Sequence, residues 1–158
     1  MVGVALREIQ ADDHDALFDQ MQHPRWVHMA AFTAADPSNR EAFDDWLGRL
    51  LAAPDIVIRA ITSDDQLVGS MAAFPSDGAI EVTYGVHPDR WGEGIATQAL
   101  RLLLEQVRDR PLHARAASDN VGSLRVLARC GFRPTGTERS FAAGRGATIE
   151  ETILRLDT

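Results

Sequence analysis

Residues 86–97 read Val86-His87-Pro88-Asp89-Arg90-Trp91-Gly92-Glu93-Gly94-Ile95-Ala96-Thr97, two glycines set between a strand-like apolar run and a helix-like one. That order of residue types is a device for holding phosphate. Glycine lets a backbone come close to a ligand and tolerates positive φ. The first N–H groups of the following helix have no partner within it, and with the helix dipole they point at any anion placed there. Arg90 is either a solvated arginine or a charged fork for a phosphate oxygen. The turn therefore asks for a phosphate-bearing cofactor, and the rest of the chain decides which one.

The elements that must position this turn follow from periodicity and punctuation. Residues 2–10 alternate, with Val4, Leu6 and Ile9 apolar, and predict a first strand. Asp12 or Asp13 caps a helix running to about Gln22, which Pro24 ends. Residues 24–36 read as a connection rich in aromatics and histidine, and Asp36-Pro37-Ser38 starts a second helix carrying Phe43, Trp46, Leu47, Leu50 and Leu51. Trp46 falls on the apolar stripe and is expected in the core. Residues 56–62 and 67–74 form a hairpin across Asp64-Asp65, and Ser76-Asp77-Gly78 turns into a strand from Ala79 to Val86. A helix from about Gly94 to Arg108 has two apolar rows, Ile95, Ala99, Leu103, Val107 and Ala96, Leu100, Leu104. Leu112 to Ala116 is strand-like. Asp119-Asn120 caps a further helix, with Leu124, Leu127 and Ala128 inward, ending at Gly131. Residues 132–141 and 148–156 make a final hairpin with Gly144-Arg145-Gly146 at its tip. The order predicts a mixed α/β chain, read as one domain over residues 1–158.

Composition removes several function classes. The net charge of −7 and the lack of a basic stretch argue against nucleic acid as a partner. No apolar run approaches the roughly 20 residues of a membrane span, and the charged pair Arg7-Glu8 comes too early for a secretory signal; a cytoplasmic location is expected. Cys130 is the only cysteine and the histidines at 14, 23, 28, 87 and 113 lack zinc-site spacing, so neither an intrachain disulfide nor a metal is expected. All 16 basic residues are arginine, which rules out Schiff-base chemistry and any lysine base. An acidic surface suits a cationic acceptor.

Three phosphate cradles compete for the turn. A Walker loop needs a Lys-Ser/Thr pair after its last glycine, and the chain has no lysine. A Rossmann fingerprint wants a third glycine, where Thr97 stands, and a first βαβ unit rather than three antiparallel-looking strands. The remaining reading rests on Trp91-x-x-Gly94-x-Ala96 together with Asn120-x-x-Ser123, Leu127 and Cys130-Gly131-Phe132. These segments resemble the pyrophosphate loop and the Asn-led, Gly-Phe-ending helix of the GCN5-related N-acetyltransferases (GNAT), in particular the branch that includes the ribosomal-protein-alanine acetyltransferases. Trp91 replaces the usual Gln/Arg of the loop, and Leu127 stands where many relatives carry a tyrosine that serves as the acid.

The resemblance implies a mostly antiparallel seven-stranded sheet with helices on both faces, splayed by a bulge between its fourth and fifth strands. It implies acetyl-CoA as co-substrate, with its pyrophosphate on the N–H groups of residues 92–97 (Gly92, Glu93, Gly94, Ile95, Ala96, Thr97) beside Arg90 and Trp91. Its pantetheine arm would pair with a strand edge at Gly85 and Val86, near Asn120 and Ser123, and the Val86 N–H would polarise the thioester carbonyl. Strand alternation puts Glu81, Thr83 and Gly85 on one face, and Glu81 is a candidate base for the incoming ammonium. Ser123 is a candidate acid or a cofactor contact. Tyr84, on the packed face, reads as core rather than acid; Cys130 reads as core. Arg129 is a solvated arginine or a contact to the adenosine phosphate. His87 is a turn residue or lies near the pantetheine. Trp26, His28 and Phe32, with the tip around Arg145, are expected to wall the acceptor site, and Glu151 is either a surface carboxylate or a partner for the acceptor amine.

The function these expectations describe is direct acetyl transfer from acetyl-CoA to a primary amine, a protein N-terminus or a small molecule, within a ternary complex. A non-catalytic acyl-CoA-binding or sensing module on the same fold is the alternative, and a transferase or hydrolase using another nucleotide a second. The final hairpin offers a surface for pairing across a homodimer.

Overall fold

The computed structural model describes residues 3–158. Met1 and Val2, which open the expected first strand, lie outside the described residues. Seven strands, β1 (Val4–Arg7), β2 (Val57–Ser63), β3 (Gln66–Ser76), β4 (Ala79–Val86), β5 (Leu112–Ala117), β6 (Arg133–Ala142) and β7 (Ala147–Leu156), form one sheet in the order β1-β2-β3-β4-β5-β7-β6. Only β4 and β5 run parallel; the other neighbours are antiparallel. Five α-helices join them: α1 (Asp13–Gln20), α2 (Pro24–Ala30), α3 (Arg40–Ala52), α4 (Ile95–Gln106) and α5 (Val121–Arg129). No helix among the described residues is long and apolar enough to cross a membrane.

The meander β2-β3-β4 is set by turn chemistry. Asp64 and Asp65 have φ of 50° and 68°, and Asp77 and Gly78 have 50° and 80°. Two consecutive positive-φ residues make a turn whose twist matches that of the strands it joins, and Asp and Gly are the residues that tolerate it. The strands then present alternate residues to two helical layers. Leu17 of α1 and Phe43 and Leu47 of α3 pack on Ile58 and Ala72. On the opposite face, Ile95, Ala99, Leu100 and Leu103 of α4 and Leu127 of α5 pack on Met71, Val82, Val86, Leu112 and Ala114. Both predicted rows of α4 are therefore used, each fully buried Leu or Ile contributing about 1.5–3 kcal/mol.

Four expectations are corrected. Residues 24–36 are not all connection: Pro24 occupies the first turn of α2, and the His23 ring accepts from the Arg25 N–H at its cap. The missing N–H that ends α1 costs nothing at a helix start. The helix after it begins later than Asp36-Pro37-Ser38, because Asn39 is the residue whose side chain caps it, accepting from Ala42 N–H. Trp46 is 41% exposed and Ala128 is exposed rather than inward; Trp46 lies beside the Phe43 ring rather than beneath it. Lastly, no bulge parts the sheet at Gly85: the β3–β4 register runs unbroken from Gly69↔Val86 to Ser76↔Ala79.

Candidate active site

The sheet parts between β4 and β5. These strands pair only at Ile80↔Leu112 and Glu81↔His113, after which β5 stays with β7 and β4 stays with β3. Beyond Glu81 the edge of β4 therefore faces open space. His87 N–H donates to the Val68 carbonyl at 2.7 Å. Antiparallel pairs alternate between bonded and non-bonded, so the backbone groups of Glu81, Thr83 and Gly85 turn toward β3. Those of Val82, Tyr84 and Val86 turn toward the gap. The free edge is thus Tyr84 and Val86, not Gly85.

Gly85 serves the site in another way. A Cβ there would lie inside the six-membered ring of Trp26, so α2 can cross the sheet at this point only because position 85 has no side chain. The helix is fixed at both ends. Arg25 stacks over the Trp91 ring at 4.9 Å, and the His23 and His87 rings meet edge to face at 5.7 Å. At the far end, Gly144 N–H donates to the Ala31 carbonyl at 2.7 Å, and Arg145 donates to the His28 carbonyl while gripping both Asp119 oxygens at 2.7 and 2.8 Å. Arg145 holds the Asp119 carboxyl below its ordinary pKa. His28 thus meets the hairpin tip through its backbone carbonyl. Phe32 packs beside a small cluster of Ala31, Ala117 and Ala142. Trp26 lies over β4, on the groove described next.

That groove, about 540 Å³, runs from the glycine turn along the free edge of β4 and is walled by α2 on one side and α5 on the other. It is lined by Trp26, Tyr84, Gly85, Val86, residues 90–92 and 94–97, Asn120 and Ser123, together with Arg125 and Arg129 of α5. Gly92 and Gly94 have φ of 84° and 78°. Gly94 caps α4 in the left-handed conformation, which aims the first-turn N–H groups at the groove. Arg90 is held by both Glu93 oxygens and by Ser63, with Glu93 raising its pKa. Glu93 is thereby an anchor for Arg90. The Trp91 indole N–H donates to the Val86 carbonyl at 2.8 Å; the free edge is left with the Tyr84 groups and the Val86 N–H.

On the α5 wall, Asn120 spends both ends of its amide on the protein: Oδ1 accepts from Ser123 N–H at 3.1 Å, and Nδ2 donates to the Met29 carbonyl at 3.2 Å. It ties α5 to α2. Ser123 Oγ lies 2.9 Å from Tyr84 Oη. Burial pushes the Tyr84 phenol up to about 12, the Ser123 hydrogen bond working the other way. Tyr84 packs against the core, as its strand face predicts, and its hydroxyl meets Ser123, a residue of the groove wall. Cys130 packs beside it with a thiol raised by burial.

At the fork of the splay stands a charge cluster that the sequence did not reveal as one. Arg115 of β5 reaches Glu81 at 3.5 Å, Glu138 at 2.8 Å and Glu151 at 3.1 Å. Burial raises the Glu81 pKa and Arg115 draws it back down. Glu138 is the main cause of the raised Arg115 value. Glu151, 9% exposed, is inside this cluster and not on the surface. The four residues come from four strands, so no local spacing could have announced them.

A family profile described as the acetyltransferase (GNAT) domain matches residues 4–133. The chain belongs to the GNAT acetyltransferase family. Over 102 residues it is 29% identical to a Bacillus subtilis (strain 168) protein described as the probable N-acetyltransferase YjcK; the match takes in 60% of this chain and 56% of that protein, so the chain spans little more than half the length of this relative. Among solved structures, Mycobacterium smegmatis RimJ in complex with CoA-disulfide superposes with a TM-score of 0.83 at 23% identity, covering 99% of this chain and 87% of that one. The ribosomal-protein-alanine N-acetyltransferase from Brucella melitensis gives 0.80 at 20% identity, covering 98% and 99%. At these identities the likeness is one of fold. The GNAT sheet, with its splay, is the architecture the loop and the Asn-led helix implied.

Proposed function

We propose that the chain is an N-acetyltransferase that moves acetyl from acetyl-CoA directly to a primary amine, a protein N-terminus or a small-molecule amine. The observation that carries this reading is the continuity of the groove. A left-handed Gly94 opens the N-terminus of α4 at one end and the unpaired edge of Tyr84 and Val86 follows; the strands rejoin at Glu81, beyond the groove's lining. An anion cradle joined to a free strand edge suits a pyrophosphate linked to an amide-bearing arm. A RimJ solved with CoA-disulfide on the same fold supports the choice of coenzyme A. The likeness to a ribosomal-protein-alanine acetyltransferase supports a protein N-terminus among the acceptors.

In this reading each element has one task. The first turn of α4, with Arg90, Arg125 and Arg129 at the groove, holds phosphate. The Tyr84 carbonyl and the Tyr84 and Val86 N–H groups hold the pantetheine amides as an added strand, and the Val86 N–H donates to the thioester carbonyl. Acetyl-CoA supplies the activated acyl group. Glu81, at the fork, takes the proton the amine nitrogen must lose, and its raised pKa makes it a stronger base than an exposed glutamate. Trp26, Phe32 and the tip at Arg145 bound the acceptor side, with Glu151 offering charge to the ammonium.

Free-thiol release on mixing acetyl-CoA with a panel of amines and N-terminal peptides tests the activity. For the base, Glu81→Gln is expected to lower kcat/KM by roughly 10²–10⁴. Glu81 works deprotonated, so the wild-type rate climbs as pH rises through its elevated pKa, and the variant loses that limb. Turnover by Glu81→Gln with an unchanged pH profile would remove Glu81 from the mechanism. Coenzyme A binding without turnover over the whole panel would leave a sensing module.

A further inference from the structure

We propose that Arg115 is a positioning residue for Glu81: Glu138 and Glu151 hold its guanidinium at a stand-off from the Glu81 carboxylate, so that this carboxylate enters the reaction ionised and with its oxygens free for the amine proton. The proposal rests on the reading of Glu81 as the base and says what keeps it fit for that task.

Arg115 stands on β5, and the three carboxylates come from β4, β6 and β7. The register puts them on one face of the sheet. Glu81 is opposite His113 across the fork, Glu151 is opposite Ala117, and Glu138 is opposite Glu151. Opposed residues, and residues two apart along a strand, point to the same side. Arg115 Nη1 lies 2.8 Å from Glu138 and 3.1 Å from Glu151, both hydrogen-bond lengths. Its Nε lies 3.5 Å from a Glu81 oxygen, beyond the roughly 2.7–3.2 Å of an N–H···O bond. The guanidinium is tied to β6 and β7 and lends Glu81 its charge across a gap.

The gap matters because a base has two opposed needs. It must be ionised when the amine arrives, and it must have an appreciable affinity for the proton. Burial raises the Glu81 pKa, the Arg115 charge lowers it, and Glu151 and Asp77 raise it again. A two-oxygen grip, of the kind Arg145 has on Asp119, would spend the Glu81 oxygens on Arg115 and weaken the base. With no guanidinium, the proton affinity would rise and the ionised fraction would fall. At the stand-off, the amine N–H bond breaks, its electron pair stays on nitrogen, and the proton passes to a Glu81 oxygen that no arginine nitrogen occupies.

The test follows the Glu81 carboxyl carbon by NMR titration of protein carrying isotope-labelled glutamate, its signal assigned by its loss in Glu81→Gln. Arg115→Met keeps an unbranched chain and removes the charge. It is expected to move the Glu81 midpoint up by about one pH unit, the low end for an opposite charge at this range. Glu138→Gln loosens Nη1 and lets the guanidinium close on Glu81, so the midpoint is expected to move down. In the Arg115→Met background the same change is expected to move it much less, because the lost carboxylate then acts only by its own charge. Asp77, Glu151 and His113 face Glu81 in all four proteins, so each displacement belongs to the substitution. Thermal melts confirm folding; should Arg115→Met not fold, Arg115→Gln takes its place in the cycle. The acid limb of kcat/KM, for any amine of the panel that is acetylated, is expected to move in the same directions; the amine is common to all variants, so its own ionisation cancels. Fixed midpoints, or equal Glu138→Gln displacements in both backgrounds, overturn the proposal while leaving Glu81 as the base. Midpoints that move while the limb stays in place remove Glu81 from the mechanism and this proposal with it, as does a lack of turnover over the whole panel.

Discussion

Replacing Gly85 by alanine tests how α2 is seated on the sheet. The added Cβ would fall within the Trp26 ring. Position 85 lies one pair from the end of an unbroken β3–β4 ladder, with the His87 N–H bonded to the Val68 carbonyl beyond it, so the backbone is held on both sides and the indole must move. Overpacking of this kind costs about 1–3 kcal/mol. For a chain of this length each kcal/mol moves Tm by roughly 2–4 °C, so Gly85→Ala is expected to melt about 2–12 °C below wild type. The cost comes from one pair of groups. Trp26→Ala removes the obstacle at its own expense in packing, and Gly85→Ala added to it should then be close to neutral. The pair should show a coupling of at least about 1 kcal/mol in a double-mutant cycle, well above the few tenths expected of independent sites. Thermal or urea unfolding of the four proteins reads it. Equal destabilisation by Gly85→Ala in both backgrounds would show that the glycine answers to something other than Trp26, and the seating of α2 described here would be wrong.

Three further outcomes follow from the same geometry. Gly94→Ala meets only the end of the Gln98 side chain, at 3.8 Å, but puts a Cβ on a left-handed residue, so it should cost about 1–2 kcal/mol in stability and weaken coenzyme A binding by calorimetry, with Gly94→Asn milder on both counts. Asp13, buried and bound to Arg7 at 2.7 and 2.9 Å and to Gln10 N–H, has its pKa lowered chiefly by the Arg7 hydrogen bond. Its folded value lies below the unfolded one, so its stabilisation is full above about pH 4 and lost as pH falls through the folded value; Asp13→Asn should remove that part of the acid dependence in urea titrations. Trp91→Phe keeps a ring for Arg25 to stack on but removes the donor to the Val86 carbonyl, and is expected to cost about 1 kcal/mol, measured by thermal melting.

How much of this was legible in the sequence depended on whether the deciding contact was local. The hairpin turns at Asp64-Asp65 and Asp77-Gly78 were, because positive φ selects residue types directly. So was α4, whose two apolar rows repeat over three turns. The backbone of the glycine turn was legible for the same reason: glycines at 92 and 94 state a conformational requirement at their own positions. The α2 helix was not. It is seven residues long with none buried, so it carries no amphipathic stripe, and Pro24 reads equally as the end of one helix or the start of the next.

The residues whose chemistry was hidden are those whose partners lie across the fold. Alternation put Tyr84 on the packed face and was right about the face; it could not see that α5 would place Ser123 against the hydroxyl, 39 residues further along the chain. Arg115 drew no attention as one arginine among 16, yet it is the cation that lets Glu81, Glu138 and Glu151 share one fork. Without it, the three carboxylates would repel one another and the proton affinity of Glu81 would rise further. The proposed base is thus a property of the pairing of four strands, and the splay that opens the groove is the same feature that brings them to one point.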